Sequence, residues 1–169
     1  MSINLDEKKT AIVYAGNKLF TYLVKLPQDV RPDKQKRTGI QVFAKIIGTR
    51  NQVSLSVKKP SKDAKVFAVE KSVRTECYAD KTSWNSRDVN KQRYGGCVSI
   101  FLGEYEFHVS VSGLKEEEDV CIAIIIMSKI SGIGIDEILH EIKEDGGEMP
   151  EGMYQAGHYL NDLLNLYRN

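Results

Sequence analysis

A histidine on a strand, facing a serine, is the arrangement in this chain with the most scope for chemistry. The segment 97–112, CVSIFLGEYEFHVSVS, alternates in character on both sides of Gly103-Glu104. If those two residues form a hairpin loop, Leu102 pairs with Tyr105, Ile100 with Phe107 and Val98 with Val109, which makes one dry face. The other face pairs Phe101 with Glu106, Ser99 with His108 and Cys97 with Ser110. There His108 can serve as a ligand, a general base or a proton relay, since imidazole titrates near neutrality. The plainer reading is an exposed or interface histidine on the sheet's second face, with no carboxylate placed to orient it. Cys97 lies diagonal to His108 and no oxyanion signature accompanies it; a buried cysteine is ordinarily a small hydrophobe. An enzyme built on either residue needs a carboxylate within reach of His108.

Upstream, Gly95-Gly96 can expose backbone N–H groups to a carboxylate or phosphate. The pair lacks the Lys-Ser/Thr of a P-loop, and no GxGxxG follows a strand, so a simple bend into the strand is its rival. Lys71, Arg74, Arg87, Lys91 and Arg93 lead up to it and offer positive charge to an organic acid, haem propionates or a nucleic acid. A solvated basic face is the plain alternative. No helix-turn-helix, zinc finger or aromatic ribonucleoprotein pattern supports specific nucleic-acid binding. His140 and His158 fall in the C-terminal stretch, where HEIKED has no second histidine at four residues' spacing, so neither predicts a metal site.

The elements that must position these groups follow from periodicity. Residues 5–26 predict a helix with Ile12, Ala15, Leu19, Leu23 and Leu26 on one face, ended by Pro27. Residues 27–39 are polar and carry Arg31, Lys34, Lys36 and Arg37, a loop. Residues 40–47 and 53–57 predict a hairpin around Gly48-Thr-Arg-Asn51, with Val53, Leu55 and Val57 on its dry face. Pro60-Ser61 opens a helix to about residue 79, with Val66, Val69, Val73 and Cys77 along one face, Phe67 and Tyr78 beside it, and Lys71 and Arg74 elsewhere on the surface. Residues 80–96 form a long polar loop holding the single tryptophan, Trp84, of the kind that is often functional or mobile. After Gly113, four acidic residues from Glu116 to Asp119 precede the apolar block 120–127, predicting a central buried helix with acids at its positive end. Gly132 and Gly134 interrupt it. A short helix over 136–143, a loop over 144–152 and a helix over 153–167 complete the chain. Both strand pairs are hairpins, so the fold class is α+β: a mainly antiparallel sheet of four to five strands flanked by helices, with a helical C-terminal extension. We place one domain at 1–131 and the extension, packed on it, at 132–169.

One stretch resembles a known family. KVFAVEKSVRTECYADKTS, the loop ending in Tyr94-Gly95-Gly96, and VSIFLGEYEFHVSVSGLKEEEDVCIA are similar to the small haem-binding family of GlcG-like and HbpS-like proteins, of the PduO C-terminal domain type. The matching positions are Ala68, Lys71 and Thr75 on the helix, Gly95 and Gly96 on the loop, and Val111, Ser112 and Gly113 with Glu118 and Asp119 after them. The match spans roughly residues 52–130. The resemblance implies an α+β domain that assembles into oligomers. It also implies binding of haem or another tetrapyrrole, or accessory work in small-molecule catabolism. The family's haem ligation is linked to a histidine near the first helix, whereas residues 1–50 hold none; Tyr14 and Tyr22 are the tyrosines of that helix, and tyrosinate is a known haem ligand.

Composition bounds the rest. The chain has 169 residues, 41% hydrophobic and 28% charged, which suits one globular domain. No apolar run approaches the roughly 18 residues of a membrane helix, and MSINLDEKK lacks an apolar signal core. Three cysteines without CxxC spacing argue against a disulfide framework and fit a reducing cytoplasm. The net charge of +1 conceals a split: residues 1–96 carry 20 Lys/Arg against 9 Asp/Glu, and residues 97–169 carry 4 against 14. Such halves either neutralise each other or drive assembly. The basic approach to the hairpin predicts a non-catalytic binding module for an anionic small molecule without membrane insertion, and the family resemblance implies haem or another tetrapyrrole as a candidate and a homo-oligomer as the form. Its site residues are His108, Ser99, Gly95, Gly96, Lys71, Arg74 and Arg93. The alternative is an interaction protein assembled through its basic and acidic halves.

Overall fold

A computed structural model describes residues 3–168. The element order is α1 (Leu5–Lys25), β1 (Gly39–Ile46), β2 (Gln52–Lys58), α2 (Lys62–Tyr78), β3 (Cys97–Leu102), β4 (Tyr105–Ser112), α3 (Glu116–Ser131), α4 (Ile135–Glu144) and α5 (Tyr159–Asn165). The strands form one antiparallel sheet in the order β2-β1-β4-β3. The β3–β4 register is the one the alternation predicts, with Ser99 opposite His108 and Cys97 opposite Ser110. Two hairpins join through β1 and β4, so the chemistry-bearing strand is central.

The sheet's two faces differ in kind. Ile40, Val42, Ala44, Val57, Val98, Ile100, Phe107, Val109 and Val111 are buried on one face, in the same hydrophobic cluster as the apolar residues of α1 and α3. Every residue from Val120 to Met127 is fully buried, so α3 is the central helix that its uniform apolarity predicts. The acidic first turn of α3, with Glu118 closing back on the Lys115 backbone, stabilises its positive end. The opposite sheet face carries Gln41, Ser99, His108 and Ser110, and α2 lies on it. The result is a three-layer sandwich.

Helix α2 sits the other way up from its apolar spacing. Val66, Val69 and Val73 are 66%, 38% and 48% exposed, Cys77 is exposed too, and Ala64, Ala68, Lys71, Ser72, Arg74 and Thr75 face inward. The cause lies on the sheet. With the valines inward, His108 would lose the Ser72 hydroxyl and Asp119 the Lys71 ammonium, both of which the inward polar side supplies. Ala64 and Ala68 let the helix approach closely.

The C-terminal segment also departs from prediction. A 3-10 turn over Glu151–Met153 is followed by irregular chain, and α5 begins only at Tyr159, with the His158 side chain accepting from the Leu160 N–H. Leu160, Leu163 and Leu164 still face inward and join the main core. Tyr159 Oη donates to the buried Glu118 carboxylate at 3.0 Å, and Arg31 binds the same carboxylate through Nε and Nη2 at 2.5 and 2.8 Å. The loop before β1 and the C-terminal helix are thereby tied to the start of α3. No helix among the described residues is long and apolar enough to cross a membrane.

Candidate functional site

His108 is fully buried beneath α2, not exposed on the second face as the plainer reading supposes. A carboxylate does orient it. Glu106 Oε1 lies 2.9 Å from Nε2, and Ser72 Oγ lies 3.0 Å from Nδ1. Ser99 Oγ donates to the same Glu106 oxygen at 2.6 Å. Burial pushes the Glu106 carboxyl up, but the hydrogen bonds from Ser99 and His108 outweigh it and hold it below the usual range. An ionised Glu106 accepts from Nε2–H, which leaves Nδ1 to accept from the Ser72 hydroxyl. The order serine, imidazole, carboxylate is that of an activated nucleophile. Ser72, however, is only 1% exposed, so no substrate reaches it. In this arrangement the four groups lock α2 to the β3–β4 hairpin. The strand's period of two puts Glu106 on the face of His108 and could have found it, whereas Ser72 lies on a helix whose orientation periodicity misassigns.

Lys71 and Gly96 meet at a second point. Lys71 Nζ is buried, donates to the Val111 carbonyl at 2.8 Å and pairs with Asp119 Oδ2 at 3.1 Å. Asp119 Oδ1 accepts from the Leu114 N–H at 3.2 Å. Burial raises the Asp119 carboxyl to about 6 despite the lysine beside it. Gly96 has φ +132°, and a Cβ there would come within 2.5 Å of the Val111 carbonyl and 2.6 Å of Lys71 Nζ. The second glycine therefore lets the loop pass over the ammonium. Gly95 packs under Trp84, and its N–H donates to Glu116 Oε2 at 3.2 Å. It does bind a carboxylate, one from its own chain.

Lys71 borders a cleft of about 490 Å³ between α2, the 80–96 loop and the β4–α3 turn. Arg37, Lys115, Phe67 and Tyr94 are further lining residues, and so are the carboxylates Asp63, Glu116, Glu117 and Asp119. Arg37 is held by Asp33 and by the Leu114 carbonyl, and Lys115 by Glu117. Arg37 and Lys115 lie in loop and cap positions with no periodic signal, which is why the sequence does not single them out.

The other predicted basic residues act elsewhere. Arg74 is buried and donates to the Ser83 carbonyl, Ser86 Oγ and the Tyr94 carbonyl at 2.9, 2.8 and 2.6 Å, with Glu70 behind it. It anchors the long loop to α2. Arg87 pairs with Glu116 and Lys91 with Asp88. Arg93 lies over Tyr78 on the outer side of α2, in a separate apolar groove of about 710 Å³ lined by Val66, Val69, Val73 and Cys77. The predicted site residues thus fall into five places: His108 with Ser99, Lys71 with Gly96, Gly95 under Trp84, Arg74 under the loop, and Arg93 outside.

The charge split is partly cancelled within the chain. Arg31–Glu118, Lys71–Asp119, Lys81–Asp145 and Arg87–Glu116 each join the basic half to the acidic half. Comparison with protein-family models, curated proteins and solved structures finds no match.

The donors available to a tetrapyrrole can be tested directly. His108 has both ring nitrogens engaged, His140 is exposed on α4, and His158 caps α5. None of them lines the cleft beside Lys71; Tyr94 is the lining side chain of a type that ligates haem iron. Among the described residues no cluster of three His, Cys, Asp or Glu is arranged to hold a metal.

Proposed function

We propose that the chain is a non-catalytic binding module that takes an anionic small molecule in the cleft between α2 and the β4–α3 turn. The observation that carries this reading is the Lys71 ammonium, buried at the cleft with Arg37 and Lys115 also lining it. A volume of about 490 Å³ lies within the range of small-molecule sites. The resemblance to GlcG-like and HbpS-like proteins gives the same class of ligand. Asp63, Glu116, Glu117 and Asp119 share the wall with these cations, so an anionic ligand must compete for groups already paired within the chain. Haem would have to rely on Tyr94 as its axial group, so it enters as one arm of the test.

That test uses two probes on the full chain. Citrate is titrated by calorimetry and haemin by its Soret band, each against the native protein and against Lys115→Gln. Citrate binding that weakens at least about tenfold in the variant, with unchanged circular dichroism, supports the reading. Saturable haemin binding lost in Tyr94→Phe would extend it to tetrapyrroles. Absence of binding for both probes, or binding indifferent to Lys115, overturns it.

A second reading, an assembly protein, is favoured by one observation. The outer face of α2 presents three valines to solvent, and an apolar helix face of this kind ordinarily meets a partner. The opposed halves of the sequence support it less, because they pair within one chain.

A further inference from the structure

We infer that Arg87 and the Gly95 N–H form a carboxylate subsite of the cleft, which the chain's own Glu116 fills until a carboxylate of the ligand takes its place. The inference deepens the binding reading above, on which it rests, by naming the ligand class as a compound with two or more carboxylates.

Four acids open α3, and Glu116 stands apart from the other three. Glu118 and Asp119 are buried and hold Arg31, Tyr159, Lys71 and the Leu114 N–H. Glu117 pairs with Lys115. Glu116 reaches back to the long loop instead. Its Oε1 accepts from Arg87 Nε at 2.6 Å and its Oε2 from the Gly95 N–H at 3.2 Å. The Gly95 N–H makes no other hydrogen bond among the described residues. A guanidinium and a backbone N–H that converge on the two oxygens of one carboxylate provide the recognition a free carboxylic acid needs.

The two donors keep their places without Glu116. Arg74 binds Ser86 Oγ and the Tyr94 carbonyl, which belong to the residues next to Arg87 and Gly95. Trp84 backs both donors. Its ring lies 4.7 Å from the Arg87 guanidinium, and a Cβ on Gly95 would come within 2.4 Å of it. Donors fixed in advance lose little freedom when a ligand arrives. Glu116, by contrast, is readily released. It lines the cleft, its partner Arg87 is 40% exposed, and an ion pair so open to water is weakly held. The start of α3 does not depend on it, because Glu118 closes back on the Lys115 backbone. Exchange of one carboxylate for another leaves the charge at the two donors unchanged. The ligand's second carboxylate then competes with Glu117 for Lys115 and with Asp33 for Arg37 in the same cleft.

Trp84 is the chain's single tryptophan, so its fluorescence reports on the subsite. The full chain, Glu116→Ala and Glu116→Ala/Arg87→Gln are titrated with sodium acetate, against sodium chloride at equal ionic strength, and citrate binding is measured by calorimetry. Acetate should shift the Trp84 emission saturably in Glu116→Ala, leave the native protein unchanged over the same range, and lose its effect in the double variant. Citrate should bind Glu116→Ala at least about tenfold more tightly than the native protein, and Arg87→Gln should remove that gain. Circular dichroism should be the same throughout, since Glu118 and Asp119 hold the start of α3. A Glu116→Ala protein silent to acetate, or a response that survives Arg87→Gln, would overturn the subsite. Citrate affinity indifferent to Glu116→Ala would overturn its part in ligand binding. Citrate that binds no variant while acetate still fills the subsite would overturn the cleft reading instead, so the two failures are told apart.

Discussion

Replacing Lys71 with Met should make stability depend on pH in a range where the native protein is flat. In the native fold the Asp119 carboxyl is raised from 3.8 to about 6. The folded form therefore holds that proton more tightly than the unfolded chain. The associated stability is complete below about pH 4 and is lost as pH rises through about 6. Above that point Asp119 is ionised in both states and contributes no further slope. Lys71 is what keeps the folded value from going higher, by its charge and its hydrogen bond to Oδ2. In Lys71→Met the carboxyl stays protonated in the fold to higher pH, while the unfolded chain is already ionised. Each unit above pH 6 then costs the variant about 1.4 kcal/mol, so the gap to the native protein should widen by about 3 kcal/mol between pH 6 and pH 8. That agrees with the roughly 3–5 kcal/mol expected when a buried ion pair loses one partner. Urea unfolding followed by circular dichroism at pH 5, 6, 7 and 8 measures the gap. The double variant Lys71→Met/Asp119→Asn should show none of the widening, since it has no carboxyl to titrate there. A gap equal at all four pH values would refute the account of a buried lysine holding a desolvated aspartate.

Three further outcomes follow from the same geometry. Glu106→Gln should cost about 1–2 kcal/mol near neutrality by weakening the bonds to Ser99 and His108; because the folded carboxyl is held low, the loss should fade as acid protonates the native Glu106, which urea midpoints at pH 7 and pH 3.5 would show. Gly96→Ala should destabilise by about 3 kcal/mol, through a strained φ and a Cβ pressed on the Val111 carbonyl and Lys71; a thermal melt within a degree of the native one would contradict this. Iodoacetamide should leave Cys97 and Cys121 unlabelled in the folded protein, because burial lifts the Cys97 thiol to about 12 and Cys121 higher still, and both should label in urea; peptide mass mapping reads the result.

Much of the architecture was legible in residue pattern. Alternation around Gly103-Glu104 specifies the β3–β4 register pair by pair, because a slip of one residue would turn every apolar side chain to the wrong face. The all-round apolarity of 120–127 marks the central helix, and Pro27, Gly113 and Gly132 mark where elements stop. The site was legible only in fragments. The pattern puts Ser99 beside His108 and Glu106 on the same strand face two residues away, but Ser72 joins them through a helix–sheet contact that no local spacing encodes.

Helix α2 shows where local information ends. Its spacing aligns Val66, Val69 and Val73 on one stripe and Ala64, Ala68, Lys71, Ser72 and Thr75 away from it. Which side turns inward depended on the sheet face it met. That face carries the buried His108, whose Nδ1 meets Ser72, and a turned helix would leave that imidazole and the buried Asp119 without the partners that Ser72 and Lys71 give them. The sequence by itself determined the elements, the strand register and the helix's two faces. Only packing settled that the polar face became core, that the basic residues dispersed to separate tasks, and that the valines were left exposed.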